Sequence, residues 1–304
     1  MSEDLKIGLI GAGKWGKNII LTLDTIPGVQ LTHIATRIQK SVENIPSSCV
    51  VSTNWRDVVT NYDLDGIIIA SPAGLHAEMS AYALKQNKAV FVEKPMTLTV
   101  VEAQQLYDLV EEYSGILHVD YTDIANPAWQ SLKDNLSLVG DINSIEAKFG
   151  GMGPVRADVT PLWDWGTHPI ALIISLLEEP IHVSANYRYK NHTEIGYIED
   201  INIVLDYKMI NAKVSVSNNY SESIRKLSIE GNKGSLIYDD KAINKLLFIT
   251  KNITKKIEYS KISPLRSALD RFKESIVKGS PYYKDVSLGL RVTKVLSKLD
   301  AVLN

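Results

Sequence analysis

Two short stretches of this chain set chemically capable side chains where they could act, one around Lys94 and one around His168. Lys94 follows the apolar run Ala89-Val90-Phe91-Val92 and Glu93, and precedes Pro95. Such a run reads as a buried parallel strand, and the proline ends its ladder, so Lys94 falls at a strand's C-terminal end. Ligand crevices of open α/β sheets lie outside those ends. A partly desolvated lysine there can polarise a substrate oxygen or exchange a proton. His168 follows Asp164 by four residues, within Leu162-Trp163-Asp164-Trp165-Gly166-Thr167-His168-Pro169. On a helix the two share a face, and the carboxylate can orient the imidazole for acid–base work. A purely structural capping cluster would show the same spacing.

The elements that must position these residues begin with a strand, Lys6 to Ile10, and run at once into Gly11-Ala12-Gly13-Lys14-Trp15-Gly16 and a helical pattern through Leu23. This is the G-x-G-x-x-G turn in its strand–turn–helix setting. Gly11 permits the tight turn, Gly13 admits a pyrophosphate, Gly16 allows close helix–strand packing, and the helix N-terminus faces the anion. Gly8 to Lys14 also fits the start of a nucleotide-hydrolase phosphate loop, but Trp15 stands where that motif needs a magnesium-binding hydroxyl. A methyltransferase can carry a similar first turn, and the glycines alone leave it open. About 20 residues on, the strand Leu31 to Ala35 ends in Thr36-Arg37, where an NAD site commonly offers an acid to the ribose. A hydroxyl and a guanidinium suit a 2′-phosphate, which favours NADP while keeping NAD in play.

Further strands are expected near Val50-Val51, at Gly66 to Ala70 and at Leu117 to Val119. Ser71 and Pro72 end the second of these, and His76 opens a helix to Gln86, on the same rim as Lys94. Thr99 and Glu102 form a capping box for a helix to about Tyr113. Strands alternating with helices imply a doubly wound parallel sheet over residues 1–121.

Residues 122–304 read differently. Asn126-Pro127 starts a helix, Ile142 to Phe149 a strand, and the glycine-rich loop from Gly150 carries Arg156 and Asp158. Seven strand-like runs between Ile181 and Tyr259 lack intervening helices, implying a mostly antiparallel open sheet, and two helices, Pro264 to Lys278 and Asp285 to Leu303, close the chain. Helices can cover one face of such a sheet; an apolar second face would favour self-association.

Length suits two domains. A formal net charge of -2 with interspersed signs points to no nucleic acid or membrane partner. Cys49 is the single cysteine, so no internal disulfide forms and a cytoplasmic setting is expected. The acidic start lacks the pattern of a secretory signal, and no apolar run reaches membrane-spanning length. The six histidines lack metal-ligand spacing, so no metal is expected.

Taken together, Gly11, Gly13 and Gly16, Ser71-Pro72 with His76, Glu93-Lys94-Pro95, and Asp164 with His168 resemble the Gfo/Idh/MocA oxidoreductases over nearly the whole chain. That resemblance implies NAD(P)-dependent hydride transfer between nicotinamide and a secondary alcohol or ketone of a sugar, in a homodimer or homotetramer built through the C-terminal sheet. It assigns Lys94, His168 and Asp164 to catalysis. Gly11, Gly13, Lys14, Trp15, Gly16, Thr36, Arg37, Ser71, Pro72, His76, Glu93 and Lys94 fall to the cofactor. Asn126, Arg156, Asp164 and His168 join Lys94 at the substrate. The Arg156 to His168 region is similar to branches acting on nucleotide-linked or amino sugars. Two positions depart from the family pattern: Ala171 stands where an aspartate is frequent, and Asp120 where a glycine is common. Redox-neutral sugar elimination or hydrolysis, or a non-catalytic dinucleotide sensor, are the rival readings.

Overall fold

A computed structural model describes residues 4–37 and 45–304. The chain packs as two units, Met1–Thr122 with Ser263–Leu290, and Asp123–Ile262 with Arg291–Asn304.

In the first unit the strands β1 (Leu5–Ile10), β2 (Val29–Ala35), β3 (Val50–Ser52), β4 (Gly66–Ile69), β5 (Ala89–Glu93) and β6 (Leu117–Asp120) form one sheet in the order β3-β2-β1-β4-β5-β6. Every pairing is parallel. Helices α1 (Lys14–Leu23), α2 (Trp55–Val59), α3 (His76–Lys85) and α4 (Val100–Glu112) connect them. All four residues of β4 are buried, as are Ala89 to Val92 of β5, which is why these runs are apolar without alternation. Thr99 caps α4 as expected: its Oγ1 accepts from Glu102 N at 3.2 Å, while the Glu102 carboxylate accepts from that hydroxyl at 2.9 Å, not from the Thr99 backbone.

The second unit opens with α5 (Thr122–Ala125) and α6 (Pro127–Asp134), then β7 (Ile142–Met152) and α7 (Thr167–Leu177). There follow β8 (His182–His192), β9 (Tyr197–Asp206), β10 (Asn211–Ser217), β11 (Asn219–Gly231), β12 (Gly234–Asp239), β13 (Leu246–Ile249) and β14 (Thr254–Lys256). The eight strands β7 to β14 form a sheet in the order β14-β13-β12-β11-β7-β10-β9-β8. It is mixed, because β7 and β10 run parallel while the other pairs are antiparallel. Side chains alternate cleanly. Ile145, Ala147 and Phe149 of β7 and Ile201, Ile203 and Leu205 of β9 are buried. Glu146, Lys148, Lys213, Ser215, Lys226 and Ser228 line the opposite, open face. Val204, Ile237 and Ile249 stand among them, so that face is mixed in character.

Helices α8 (Pro264–Lys278) and α9 (Lys284–Leu303) close the chain. Residues 263–290, expected in the second domain, pack instead with the first unit. Phe272 of α8 lies 5.5 Å from the Phe91 ring and 5.6 Å from His118, ring centre to ring centre. His118 is buried, stacked 4.0 Å from Tyr282, with Nε2 2.9 Å from Ser275 Oγ and Nδ1 3.4 Å from Asp285 Oδ2. An aromatic and polar clasp thus holds this segment. Among the described residues no helix is long and apolar enough to cross a membrane, and no group of three or more side chains is arranged to hold a metal.

Candidate active site

In the first unit the C-terminal ends of β1, β2, β4 and β5 gather the predicted cofactor residues. Gly11 takes φ +95°, and a Cβ there would lie 2.3 Å from Ala70 O, so this turn needs glycine twice over. Its N–H donates to Ala35 O at 2.9 Å, tying the turn to the strand that ends in Thr36 and Arg37. A Cβ on Gly16 would lie 2.2 Å from Gly11 O. Gly13 is the opposite case: it is exposed, has nothing within 4 Å of where a Cβ would stand, and precedes α1 with no side-chain cap and no acid in the first turn. An open, donor-rich helix start at the point where strand order reverses fits a dinucleotide's pyrophosphate. Lys14 and Trp15 are exposed at the same start, and Arg37 is exposed beyond β2.

Lys94 is half-buried at the end of β5. Its neighbour Glu93 stands opposite Asp120 in the β5–β6 register, and Trp15 Nε1 donates to Asp120 Oδ2 at 3.2 Å. Burial pushes both carboxyls above their ordinary range, and for Glu93 the adjacent Asp120 adds to it, while Lys94 pulls the other way. The two neighbouring carboxyls therefore keep their protons to higher pH than free carboxyls do. Glu93 has Asp120 as its neighbour across the β5–β6 pair. His76 is buried; Nδ1 lies 2.8 Å from Pro95 O and Nε2 2.9 Å from Ser71 O. It braces the Ser71-Pro72 turn against the Lys94-Pro95 turn, so its place is that of a strut behind the rim.

In the second unit His168 lies in the first turn of α7, 6 % exposed. Its Nδ1 is 2.7 Å from Oδ2 of Asp123, and Arg225 Nη1 is 3.2 Å from the same oxygen. Burial alone would raise the Asp123 carboxyl, but His168 and Arg225 hold it down at about 2. Asp164 was expected to orient His168. The segment Leu162–Gly166 is wound as a π-helix and the α-helix begins only at Thr167, so the regular four-residue spacing does not carry across. The Asp164 carboxylate is 3.5 Å from Arg156 Nη1, and Arg156 also makes a two-pronged bond to Asp158, at 2.9 and 2.7 Å. Arg156 is thus engaged by two carboxylates.

Asn126, expected at the substrate, is 2 % exposed. Its Oδ1 caps α6 through Ala128 N, and its Nδ2 donates to Tyr238 Oη and Asp240 Oδ1, both at 2.9 Å. Asp123 and Arg225 belong to no motif that the sequence displays. The one available signal was an acid inside the apolar stretch Tyr121 to Ala125, all of which but Thr122 is buried.

Residues 5–121 match the sequence profile described as the oxidoreductase family with an NAD-binding Rossmann fold, and residues 137–237 match the GFO/IDH/MocA C-terminal domain. The chain belongs to the Gfo/Idh/MocA family. Among its Gfo/Idh/MocA relatives is the dTDP-3,4-didehydro-2,6-dideoxy-alpha-D-glucose 3-reductase of Streptomyces violaceoruber, 25% identical over 193 residues, covering 59% of this chain and 56% of that protein. Another is the NADP(+) scyllo-inositol 2-dehydrogenase of Bacillus subtilis (strain 168), 25% identical over 225 residues, covering 69% of this chain and 62% of the relative. The matches therefore span little more than half of these relatives' lengths. A crystal structure from Magnetospirillum magnetotacticum MS-1 is 31% identical, with a TM-score of 0.92, covering 98% of this chain and 100% of that one.

Proposed function

We propose that this Gfo/Idh/MocA protein is an NAD(P)-dependent oxidoreductase acting on a secondary alcohol or ketone of a sugar, carried on a nucleotide or bearing an amine. The observation that carries the reading is the open Gly13 face beside the rim that holds Lys94. Gly11 and Gly16 are required by the turn itself, whereas Gly13 is required only by something that approaches it. The relatives that act on a dTDP-linked sugar and on an inositol support the substrate class. The guanidinium of Arg37 at the end of β2, with Thr36 beside it, favours NADP over NAD.

When bound, the nicotinamide dinucleotide supplies or takes up the hydride. The chain's residues bind and orient. The α1 N-terminus and Gly13 receive the pyrophosphate, and Lys94 polarises the reacting oxygen. His168 takes the alcohol proton as hydride leaves, or returns it in the reverse direction. Asp164 and Arg156, joined by their ion pair, face the substrate.

Titrating the full chain with NADPH and NADH by nucleotide fluorescence, then following absorbance with UDP-N-acetylglucosamine, dTDP-glucose and scyllo-inositol, tests this directly. His168→Ala should lower kcat by about 10²–10⁴-fold while leaving cofactor affinity within about twofold. Full turnover by that variant, or loss of cofactor binding in it, contradicts the assignment.

A further inference from the structure

The role proposed for His168 leaves open what sets the imidazole's tautomer, and the second unit contains a built answer. Asp123 is 4 % exposed on the four-residue helix α5, and its two oxygens are divided among three partners from three other elements. Oδ2 faces His168 Nδ1 of α7 at 2.7 Å and Arg225 Nη1 of β11 at 3.2 Å. Oδ1 faces Arg225 Nη1 and the Tyr238 hydroxyl of β12, both at 3.5 Å. Arg225 stands opposite Phe149 in the β11–β7 register, and the Phe149 ring lies stacked 6.5 Å from that of His168, so sheet register fixes guanidinium and imidazole together. The guanidinium also lies 5.6 Å over the Trp165 ring. Tyr238 is held in turn by Asn126.

We propose that Asp123 is the positioning residue of the acid–base group: it accepts the Nδ1–H of His168, fixing the tautomer in which Nε2 exchanges the substrate proton, and Arg225 keeps that carboxylate from taking the proton itself. This inference rests on the proposed role of His168, but it predicts a property of the substrate-free protein. A carboxylate on one ring nitrogen sets the basicity and direction of the other, and an aspartate locked by an arginine stays a charge and does not become a proton carrier. Among the neighbouring groups, Asp164 pairs with Arg156, Asp240 with Lys245, and the Tyr238 phenol accepts from Asn126.

The test is a nitrogen NMR titration of the full chain labelled with 15N-histidine, with the His168→Gln spectrum identifying the His168 signals. In the neutral form Nδ1 should carry the hydrogen and Nε2 should not. Asp123→Asn should lower the His168 titration midpoint by about 1 pH unit or more, because the imidazolium loses its counter-charge and keeps Arg225 nearby. Arg225→Gln should move it the opposite way, and it keeps the proposal testable should Asp123→Asn fail to fold. A purely structural role for Asp123 would change the melting temperature and leave the midpoint where it was. Hydrogen on Nε2 in the neutral form, or a midpoint unmoved by both variants, overturns the proposal. Retained turnover in His168→Ala would overturn the catalytic role alone, since the tautomer is read without substrate.

Discussion

Alanine at Gly11 and at Gly13 should separate folding from cofactor binding within one turn. At Gly11 the new Cβ would lie 2.3 Å from Ala70 O and the backbone sits at φ +95°. Left-handed strain of about 1–2 kcal/mol and overpacking of about 1–3 kcal/mol add to about 2–5 kcal/mol, a large share of a domain's total stability. For a unit of this size that lowers the melting temperature by about 5–15 °C. At Gly13, with φ -70° and nothing within 4 Å, alanine fits the folded chain and should shift stability by no more than about 0.5 kcal/mol. Its methyl group would nonetheless occupy the ground a pyrophosphate must approach, weakening NADPH binding at least about tenfold, or about 1.4 kcal/mol. Differential scanning calorimetry and NADPH fluorescence titration read the two quantities. A Gly13→Ala variant that binds NADPH as the parent does, or that melts as low as Gly11→Ala, would refute this separation.

Three further outcomes follow from buried charges. Burial holds protons on the Glu93–Asp120 pair that the unfolded chain releases above about pH 4, so the pair costs stability as pH rises through that window. Asp120→Asn should therefore raise the urea midpoint at pH 7, with the gain shrinking towards pH 4; an equal gain at both would refute the upward shift of these carboxyls. Asp123 has the opposite sign. Held at about 2 against an ordinary 3.8, its pairing adds about 2 kcal/mol above pH 4 that is lost as pH falls through about 2. Asp123→Asn should flatten that acid limb in circular dichroism, and a limb as steep as the parent's would contradict the pairing. His118→Ala leaves Asp285 buried without its imidazole and should cost about 3 kcal/mol or more in chemical denaturation, whereas a cost below 1 kcal/mol would show the clasp to be idle.

Much of the first unit was legible because its signals are local. Four-residue apolar runs mark strands buried on both faces, and a glycine turn between strand and helix fixes where a dinucleotide can lie. Lys94 could be placed at a strand end on the same grounds. What escaped were pairings across long sequence distance. Asp123 and Arg225 are 102 residues apart, and nothing near either names the other. The amphipathic stripe of α8 announces a buried face but not the sheet it covers, so residues 263–290 were placed with the wrong neighbours. The four-residue spacing of Asp164 and His168 presumes a regular helix, whereas the chain through Leu162–Gly166 is wound as a π-helix. An asparagine before proline is as well suited to capping a helix as to touching a substrate, and Asn126 does cap α6.

The most direct test of the oxidoreductase assignment follows a deuterium label from the C4 position of reduced NADP into a keto-sugar substrate such as a dTDP-linked ketone, with the product mass and the oxidised cofactor measured together. Hydride transfer predicts one deuterium per product molecule and one cofactor oxidised for each. Sugar conversion with the reduced cofactor left unconsumed would contradict it.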